Sequence, residues 1–225
     1  MTTSHVSSAR PERRGDTGIT LRAFRLNTAI NHIMFTGRRG RVYDRLVVLS
    51  GVRPGDSVLD VGSSSGYLAS RLAAAGPSVR VTGVDPSEPA IAYARRHAGP
   101  GMTFTVGVAQ HLPVPDASFD VVTCTLAMHH IPRDQRRTAL AEMYRVTKPG
   151  GRLLIADFAP HDLEFLRAEH RHRRLGFFDH EMERWLAAAG LTRVAAFALP
   201  PAGANGLTVK IWRAEREADR IRRVA

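Results

Sequence analysis

The sequence has very little cysteine, since Cys124 is the only one among 225 residues. One cysteine excludes an intramolecular disulfide and a thiolate-based metal cluster, so the fold depends on neither. Long apolar runs are also lacking. Stretches such as residues 46–49 and 153–156 are far shorter than the roughly 20 residues of a membrane-spanning helix. The N-terminal charges are not followed by an apolar segment of the kind seen in secretory signals, and we expect a cytoplasmic protein.

Lysine is nearly absent: Lys148 and Lys210 are the only lysines among 32 basic residues, so arginine carries the formal charge of +11. Residues 1–53 hold ten arginines and only three acidic residues, a net charge of +7. A basic N-terminal surface attracts an anionic substrate, a membrane surface or nucleic acid, and it is also typical of a solvated arm. Charge alone does not distinguish these alternatives.

Hydrophobic residues make up 44% of the chain and charged residues 24%, a balance that permits one sizeable core. We predict a disordered basic arm over residues 1–18 and a helical N-terminal lid over 19–51, with Gly37 and Gly40 marking a break between helices. A single α/β domain follows over 52–213, and a basic tail over 214–225. The sequence carries no signal for an oligomeric state.

From residue 57 onward, short β-rich runs alternate with segments of helical length. Such alternation predicts parallel strands joined by helical crossovers. The last two strands have only a Pro- and Gly-containing loop between them, which predicts an antiparallel hairpin. The predicted strands are 57–61, 79–84, 102–106, 120–125, 152–156, 192–198 and 207–212, and the predicted helices are 66–75, 88–98, 133–146, 162–175 and 180–189.

The strongest local pattern is VLDVGSSSGYL at residues 58–68, in which an apolar strand runs into a glycine-bounded turn and then a helix. Gly62 and Gly66 can adopt positive φ and lack a Cβ, so a ligand can approach the backbone closely. The helix that follows presents unpaired N–H groups at its start, which suit a carboxylate or a phosphate.

An acidic residue, Asp85, ends the next predicted strand, 25 positions after Asp60. A carboxylate at this place can accept both hydroxyls of a ribose, as in nucleoside-binding α/β folds. The alternative is a cap for the helix beginning at Glu88, a role for which Ser87 is better suited.

With these residues, the chain resembles the class I S-adenosylmethionine-dependent methyltransferases, particularly their ubiquinone/menaquinone-biosynthesis-like small-molecule branch. The resemblance covers residues 52–213 and implies a Rossmann-like, mostly parallel seven-stranded sheet with helices on both faces. It also implies S-adenosylmethionine as cofactor and methyl transfer as the reaction. The family pattern D-x-G-x-G-x-G maps onto Asp60, Gly62, Ser64 and Gly66, and further matches in the family's order are GVAQHLP at 107–113, FDVV at 119–122, MHH at 128–130 and RVTKPGG at 145–151.

Two positions depart from the family pattern. Ser64 replaces the central glycine, which implies a wider turn or a hydroxyl that contacts the methionine part of the cofactor. Val108 stands where relatives often place the acid that binds adenine, so recognition of the base falls to the backbone of Val108 and Ala109 or to the Gln110 side chain. Pro86 and Thr125 complete the predicted cofactor site.

Methyl transfer is a displacement at a sulfonium carbon, so the enzyme mainly aligns the two reactants. A general base is needed when the acceptor is a hydroxyl or an acidic carbon. The candidates are His129 and His130 after the fourth strand and His161 after the fifth, with a structural role as the alternative. The polar segment 157–177 either lines the acceptor pocket or forms a solvated helix face, and we predict no metal site.

Two other enzyme classes share parts of this pattern. The segment GSSSG also fits the nucleophile elbow of a serine esterase, with Ser64 as nucleophile and Asp157 and either His161 or His180 following in order. The elbow normally follows several strands, whereas this one follows the first. This sequence lacks the G-x-G-x-x-G pattern that is typical of a nicotinamide-dependent oxidoreductase.

The charge of +11 is the only feature that supports a non-enzymatic nucleic-acid-binding protein. The sequence has no zinc-finger or aromatic RNA-binding pattern, so we expect no specific nucleic acid. The resemblance favours a small organic acceptor methylated at oxygen or carbon, either anionic or a quinone. A quinone would be reached through peripheral contact of the arginines with an anionic membrane.

Overall fold

Seven strands form one sheet in the computed structural model, which describes residues 39–164, 174–199 and 207–219. The order across the sheet is β3-β2-β1-β4-β5-β7-β6. The strands are β1 (Ser57–Val61), β2 (Arg80–Asp85), β3 (Met102–Val106), β4 (Phe119–Thr125), β5 (Thr147–Phe158), β6 (Leu191–Ala198) and β7 (Val209–Arg216).

The first five strands are parallel, and β7 inserts antiparallel between β5 and β6. The predicted mostly parallel sheet and its closing antiparallel hairpin are therefore confirmed. Parallel neighbours require a crossover, and the helices that supply it reach back over the sheet. The carboxyl ends of β1, β2, β4 and β5 consequently meet along one edge.

The helices lie on both faces of the sheet, as expected. Buried side chains of α1, α2 and α3 join one core cluster, which includes Leu46, Leu72 and Ile91. Those of α4 and α5 join the other, which includes Leu140 and Leu186. The helices are α1 (Arg39–Ser50), α2 (Tyr67–Ala73), α3 (Glu88–Arg96), α4 (Arg136–Val146) and α5 (Asp179–Ala188), with 3-10 turns at Met128–His130 and Arg133–Gln135.

Three predicted boundaries are wrong. The last strand runs over Val209–Arg216 instead of 207–212, because its end pairs with β6 from Leu191 onward, so the predicted tail from 214 begins inside the sheet. Gly40 does not mark a break, because α1 already runs through it, and Val42, Tyr43 and Leu46 bury the helix against the sheet. β5 begins at Thr147 rather than at residue 152, because Thr147 pairs with Phe119 across a register shift that keeps the intervening glycines in the strand.

Several predictions fall wholly or partly outside the described residues. These are the disordered arm and most of the lid within residues 1–38, the loop 200–206 and the tail end 220–225. The helix predicted over 162–175 is absent at 162–164 and 174–175, and its remaining residues lie outside the description. Among the described helices, none has the length and apolar character needed to span a bilayer.

Candidate active site

The loop after β1 is held in a conformation that glycine adopts easily. Gly62 has φ 77° and Gly66 has φ 80°, both in the left-handed region. The N–H of Gly62 donates to the carbonyl of Val84 at 2.7 Å, which ties the loop to the end of β2. A Cβ at Gly62 would lie 2.6 Å from that of Ala127, and one at Gly66 would lie 2.7 Å from the Phe104 ring. Neither site has room for a side chain.

Ser64 occupies the central position of the same loop with φ 48°. This value preserves the left-handed backbone that a glycine would supply, at a conformational cost to the serine. The Ser64 side chain is exposed, and its backbone N–H points to Asp85.

The carboxylate of Asp85 faces this loop. One oxygen accepts from the Ser64 N–H at 2.9 Å and the other from the Ser87 N–H at 2.9 Å. Burial raises the pKa of Asp85, while these two hydrogen bonds lower it. Ser87 caps α3, since its hydroxyl accepts from the Ala90 N–H. The buried carboxylate of Asp85 therefore lies against the backbone of the loop and joins it to the start of α3.

Asp60 lies beneath the loop and is almost fully buried. The hydroxyl of Thr123 donates to its carboxylate at 2.9 Å. Burial raises the pKa of Asp60 to about 7, and the nearby charge of Asp85 adds to the rise. Asp60 therefore joins β1 to β4 just before the loop and holds a proton over part of the neutral range.

Strained backbone and unpaired polar atoms gather at this edge. Leu126, directly after β4, has φ 52°, which is unusual for a branched side chain. The buried hydroxyls of Ser63 and Thr125 have no hydrogen-bond partner within the described part of the chain. Because buried hydroxyls are normally paired, these two fit a bound ligand with polar groups, and the residues present suit a nucleoside.

The segment expected to meet adenine follows β3. Val108 forms an isolated bridge with His111, whose N–H donates to the Val108 carbonyl at 3.1 Å. The Gln110 side-chain NH₂ donates to Gln135 at 2.6 Å, so part of that amide already has a partner. Ala109 is half-buried, and Pro86, beyond β2, is exposed.

The predicted catalytic residue His129 is buried and paired with Asp157 at the end of β5. Its Nδ1–H donates to one carboxylate oxygen at 2.7 Å, and its backbone N–H donates to the other at 3.1 Å. Burial lowers the pKa of His129 to about 3, with His161 and Arg136 adding to the effect. The imidazole is therefore neutral, and this tautomer places the lone pair on Nε2.

The structure brings the three predicted catalytic histidines into one cluster. The His129 and His130 rings lie 4.1 Å apart, centroid to centroid. The Phe158 ring packs against two of these histidines, with its centroid 5.4 Å from the centroid of the His129 ring and 5.7 Å from that of the His161 ring. His130 and His161 are both half-buried, so they lie nearer to solvent than His129 does.

Sequence reasoning missed Asp157 as the partner of His129 and missed the buried Arg136 altogether. Asp157 entered only as part of the esterase alternative, with His161 or His180. The structure shows that it accepts from His129, which is not in the order that the esterase requires. The signal for Asp157 was an acid ending an otherwise apolar strand. Across the described ranges, no three metal-ligating side chains are grouped so as to hold an ion.

Comparison with known proteins places this geometry in a family. A family model for a methyltransferase domain matches residues 58–151. A ubiquinone/menaquinone biosynthesis C-methyltransferase of Methylobacterium nodulans is 33% identical over 161 residues, which cover 68% of this chain and 63% of the relative. The chain belongs to the class I S-adenosylmethionine-dependent methyltransferases. This membership confirms the resemblance drawn from the loop, Asp85 and the later motifs.

Two further matches extend the comparison. The 27-O-demethylrifamycin SV methyltransferase of Amycolatopsis mediterranei is 39% identical over 123 residues, covering 52% of this chain and 44% of that protein. A chain from the complex of the Haloferax volcanii Trm112 methyltransferase activator with a methyltransferase has a TM-score of 0.69 at 21% identity, over 86% of this chain and 97% of that chain. That structural likeness shows the fold. This chain spans less than two thirds of either curated relative.

Proposed function

We propose that this chain binds S-adenosylmethionine and transfers its methyl group to an oxygen or carbon of a small organic acceptor. The observation that carries the proposal is the Asp85 carboxylate, which accepts a hydrogen bond from the backbone of the glycine-bounded loop. Bound S-adenosylmethionine supplies a methyl carbon activated by a sulfonium. The protein supplies binding, alignment and a route for the proton that the acceptor loses.

In this proposal Asp85 accepts hydrogen bonds from the ribose hydroxyls. The buried hydroxyls of Ser63 and Thr125 meet polar groups of the cofactor, which would give them the partners that they lack. The left-handed backbone at Gly62 and Gly66 gives the loop the shape against which the cofactor lies. The family acid for adenine is absent at Val108, so the backbone of Val108 and Ala109 contacts the base.

Bound at this site, the cofactor would supply the methyl carbon, and its sulfur would keep the electron pair of the carbon–sulfur bond as the acceptor atom takes the methyl group. We assign Nε2 of His129 as the group that takes the acceptor's proton. Asp157 holds Nδ1 and stabilises the positive charge as the proton arrives. His130 and His161 line the same cluster and contact the acceptor.

The acceptor class is supported by the named activities of the relatives. One is a C-methyltransferase of quinone biosynthesis and the other an O-methyltransferase of a rifamycin. We therefore propose a small ring compound bearing a hydroxyl, with a reduced quinone as the first candidate. We further propose that the arginine-rich segment 1–38 contacts anionic membranes when the acceptor is lipid-soluble. Failure to co-sediment with anionic vesicles at low salt, relative to neutral vesicles, would refute that contact.

The function is tested by calorimetric titration with S-adenosylmethionine and by mass spectrometry of reduced demethylmenaquinone incubated with the protein and cofactor. We expect saturable binding and a product heavier by one methylene unit. Asp85→Ala should weaken cofactor binding roughly 10- to 100-fold and lower the yield of product at the same cofactor concentration. Asp116→Ala, which changes an exposed acid on the loop before β4, should leave both intact. If the wild type fails to bind the cofactor, the proposed function is wrong.

The assignment of His129 as the base is tested with the His129→Gln variant. We expect His129→Gln to lower kcat at least tenfold while KM for the acceptor stays within about twofold. A kcat unchanged in this variant would show that the proton leaves by another route.

A further inference from the structure

Arg136, the first residue of α4, is buried although it carries a permanent charge. Only 2% of its surface is exposed. Its Nε and Nη2 atoms are both buried, and neither has a hydrogen-bond partner in the part of the chain that the structure describes. Since a guanidinium cannot lose its proton in a protein, it remains charged in this position. Buried N–H groups of a charged side chain are costly when they lack hydrogen bonds, so Nε and Nη2 favour an anionic partner.

The surrounding acids are already engaged by other donors. Asp157 accepts from His129 and from the Phe158 N–H at 2.8 Å. Glu181 accepts a short hydrogen bond from Arg174 and one from the Phe178 N–H. Both acids lie close enough to stabilise the charge of Arg136, while burial and Arg174 lower its pKa. Their fields offset part of the charge but do not satisfy its N–H groups.

A second guanidinium lies beside the first. Arg136 and Arg174 both lie over the Phe177 ring, at 5.3 Å and 5.1 Å from its centroid. Phe177 is fully buried, and its N–H donates to the Phe158 carbonyl at 2.9 Å. The aromatic ring therefore fixes two positive groups at the end of β5, next to the histidine cluster.

The location connects Arg136 to the proposed reaction centre. Arg136 lies over the Phe177 ring, and the Phe177 N–H donates to the Phe158 carbonyl. The Phe158 ring lies 5.4 Å from that of His129, centroid to centroid. Arg136 and His129 both follow β4 at the carboxyl edge of the sheet, where ligands bind in open α/β folds. An anion that meets the free N–H groups of Arg136 would thus lie beside the histidine assigned to the acceptor's proton.

We propose that Arg136 is a specificity-determining residue that binds an anionic oxygen of the methyl acceptor, either a carboxylate or a phenolate or enolate, through Nε and Nη2. The inference rests on the proposed function and narrows its substrate class to acidic acceptors. A guanidinium presents two parallel donors that match a carboxylate in bidentate fashion. Arg174, which also lies over the Phe177 ring, adds positive charge and keeps its own hydrogen bond to Glu181.

The test compares Arg136→Met with Arg137→Met, which changes the exposed arginine next along the same helix. Each protein is saturated with S-adenosylhomocysteine and titrated calorimetrically with 1-naphthoate, its neutral isostere 1-naphthamide, benzoate and inorganic phosphate. We expect at least one aromatic acid to bind the wild type and Arg137→Met, and to bind Arg136→Met at least tenfold more weakly. The neutral amide should show no such difference. Binding of phosphate alone would assign the site to a phosphorylated ligand and overturn the acceptor assignment.

A thermal melt separates this role from a structural one. Removing a buried charge without partners should leave the melting temperature of Arg136→Met unchanged or raise it by about a few degrees. A purely structural arginine would instead lower it. The proposal is overturned if the melting temperature falls and no acid discriminates between Arg136→Met and Arg137→Met. It is also overturned if no acid binds the wild type. If the wild type does not bind S-adenosylhomocysteine at all, the proposed function itself is refuted.

Discussion

The two halves of the proposed active site are built in different ways. The nucleoside half, formed by β1, its loop and the end of β2, depends on backbone shape and close packing around Gly62 and Gly66. The acceptor half, formed by the ends of β4 and β5 and the start of α4, depends on buried polar side chains such as His129, Asp157 and Arg136. Shape fixes a common cofactor, whereas a buried polar cluster can be altered residue by residue to suit a particular acceptor.

The largest effect should come from breaking the acceptor half at Asp157. In Asp157→Ala, His129 loses the acceptor for its Nδ1–H, and the backbone N–H groups of His129 and Phe158 lose theirs. Because these groups are buried, we expect a loss of about 3–5 kcal/mol in the free energy of unfolding, measured in urea. Asp116→Ala removes an exposed acid bonded to Arg145 and should cost about 1 kcal/mol or less. Equal losses in the two variants would contradict the account of the acceptor half.

In the nucleoside half, adding a side chain where the fold leaves no space should lower the stability. Gly66→Ala places a Cβ 2.7 Å from the Phe104 ring at φ 80°, while Gly55→Ala has nearly the same φ, 81°, with no atom within 4 Å. Both variants incur a left-handed backbone cost of about 1 kcal/mol. Only Gly66→Ala adds overpacking, so we expect a further loss of about 1–3 kcal/mol in urea unfolding. Similar stabilities would show that the loop has more room than the structure gives it.

The titration of Asp60, in the nucleoside half, should make the stability of the fold depend on pH. Its pKa is about 7 in the fold against an ordinary 3.8, so the folded state holds a proton that the unfolded state releases between these values. Folding stability from this group is therefore lost as the pH rises through that window, at up to about 1.4 kcal/mol per pH unit.

Asp60→Asn removes this titration and keeps an acceptor for Thr123. The stability of the variant relative to the wild type should increase by roughly 2 kcal/mol between pH 5 and pH 7, as followed by urea unfolding. His129 has a depressed pKa and makes both proteins less stable toward acid, so its effect cancels in the difference. A difference that does not change with pH would show that Asp60 is ionised throughout.

The smallest effect is expected at Ser64. Its φ of 48° carries a left-handed cost that Ser64→Gly relieves, and the greater freedom of glycine in the unfolded chain offsets part of the gain. We expect a stabilisation of about 1 kcal/mol or less in thermal or urea unfolding. The bond to Asp85 comes from the Ser64 backbone N–H, so the affinity for S-adenosylhomocysteine should stay within about twofold. A tenfold loss would assign the hydroxyl a direct contact with the cofactor.

The nucleoside half was predictable because its determinants are local in the sequence. The hydrophobic pattern of the sequence locates the ends of the strands, and Gly62, Gly66, Asp60 and Asp85 lie at or near them. The resemblance to the methyltransferase family then matches these residues to the family's motif. The positions of His129 and His130 were also predictable, since these residues follow β4, while their role stays a prediction. Asp157 as a partner and Arg136 as a buried residue were not, because they depend on contacts between β4, β5 and α4 over 20 or more residues. The bond of His129 to Asp157 spans 28 positions, and no periodicity encodes it.

The central claim is that the Asp85 carboxylate receives the ribose of the cofactor. It is tested most directly by the calorimetric affinities of the wild type and Asp85→Ala for S-adenosylhomocysteine and for its 2′-deoxy analogue. A hydroxyl bonded to a carboxylate predicts that the wild type binds the analogue roughly 10- to 100-fold more weakly, while Asp85→Ala binds both ligands equally. If the deoxy analogue loses as much affinity in Asp85→Ala as in the wild type, the carboxylate does not hold the ribose.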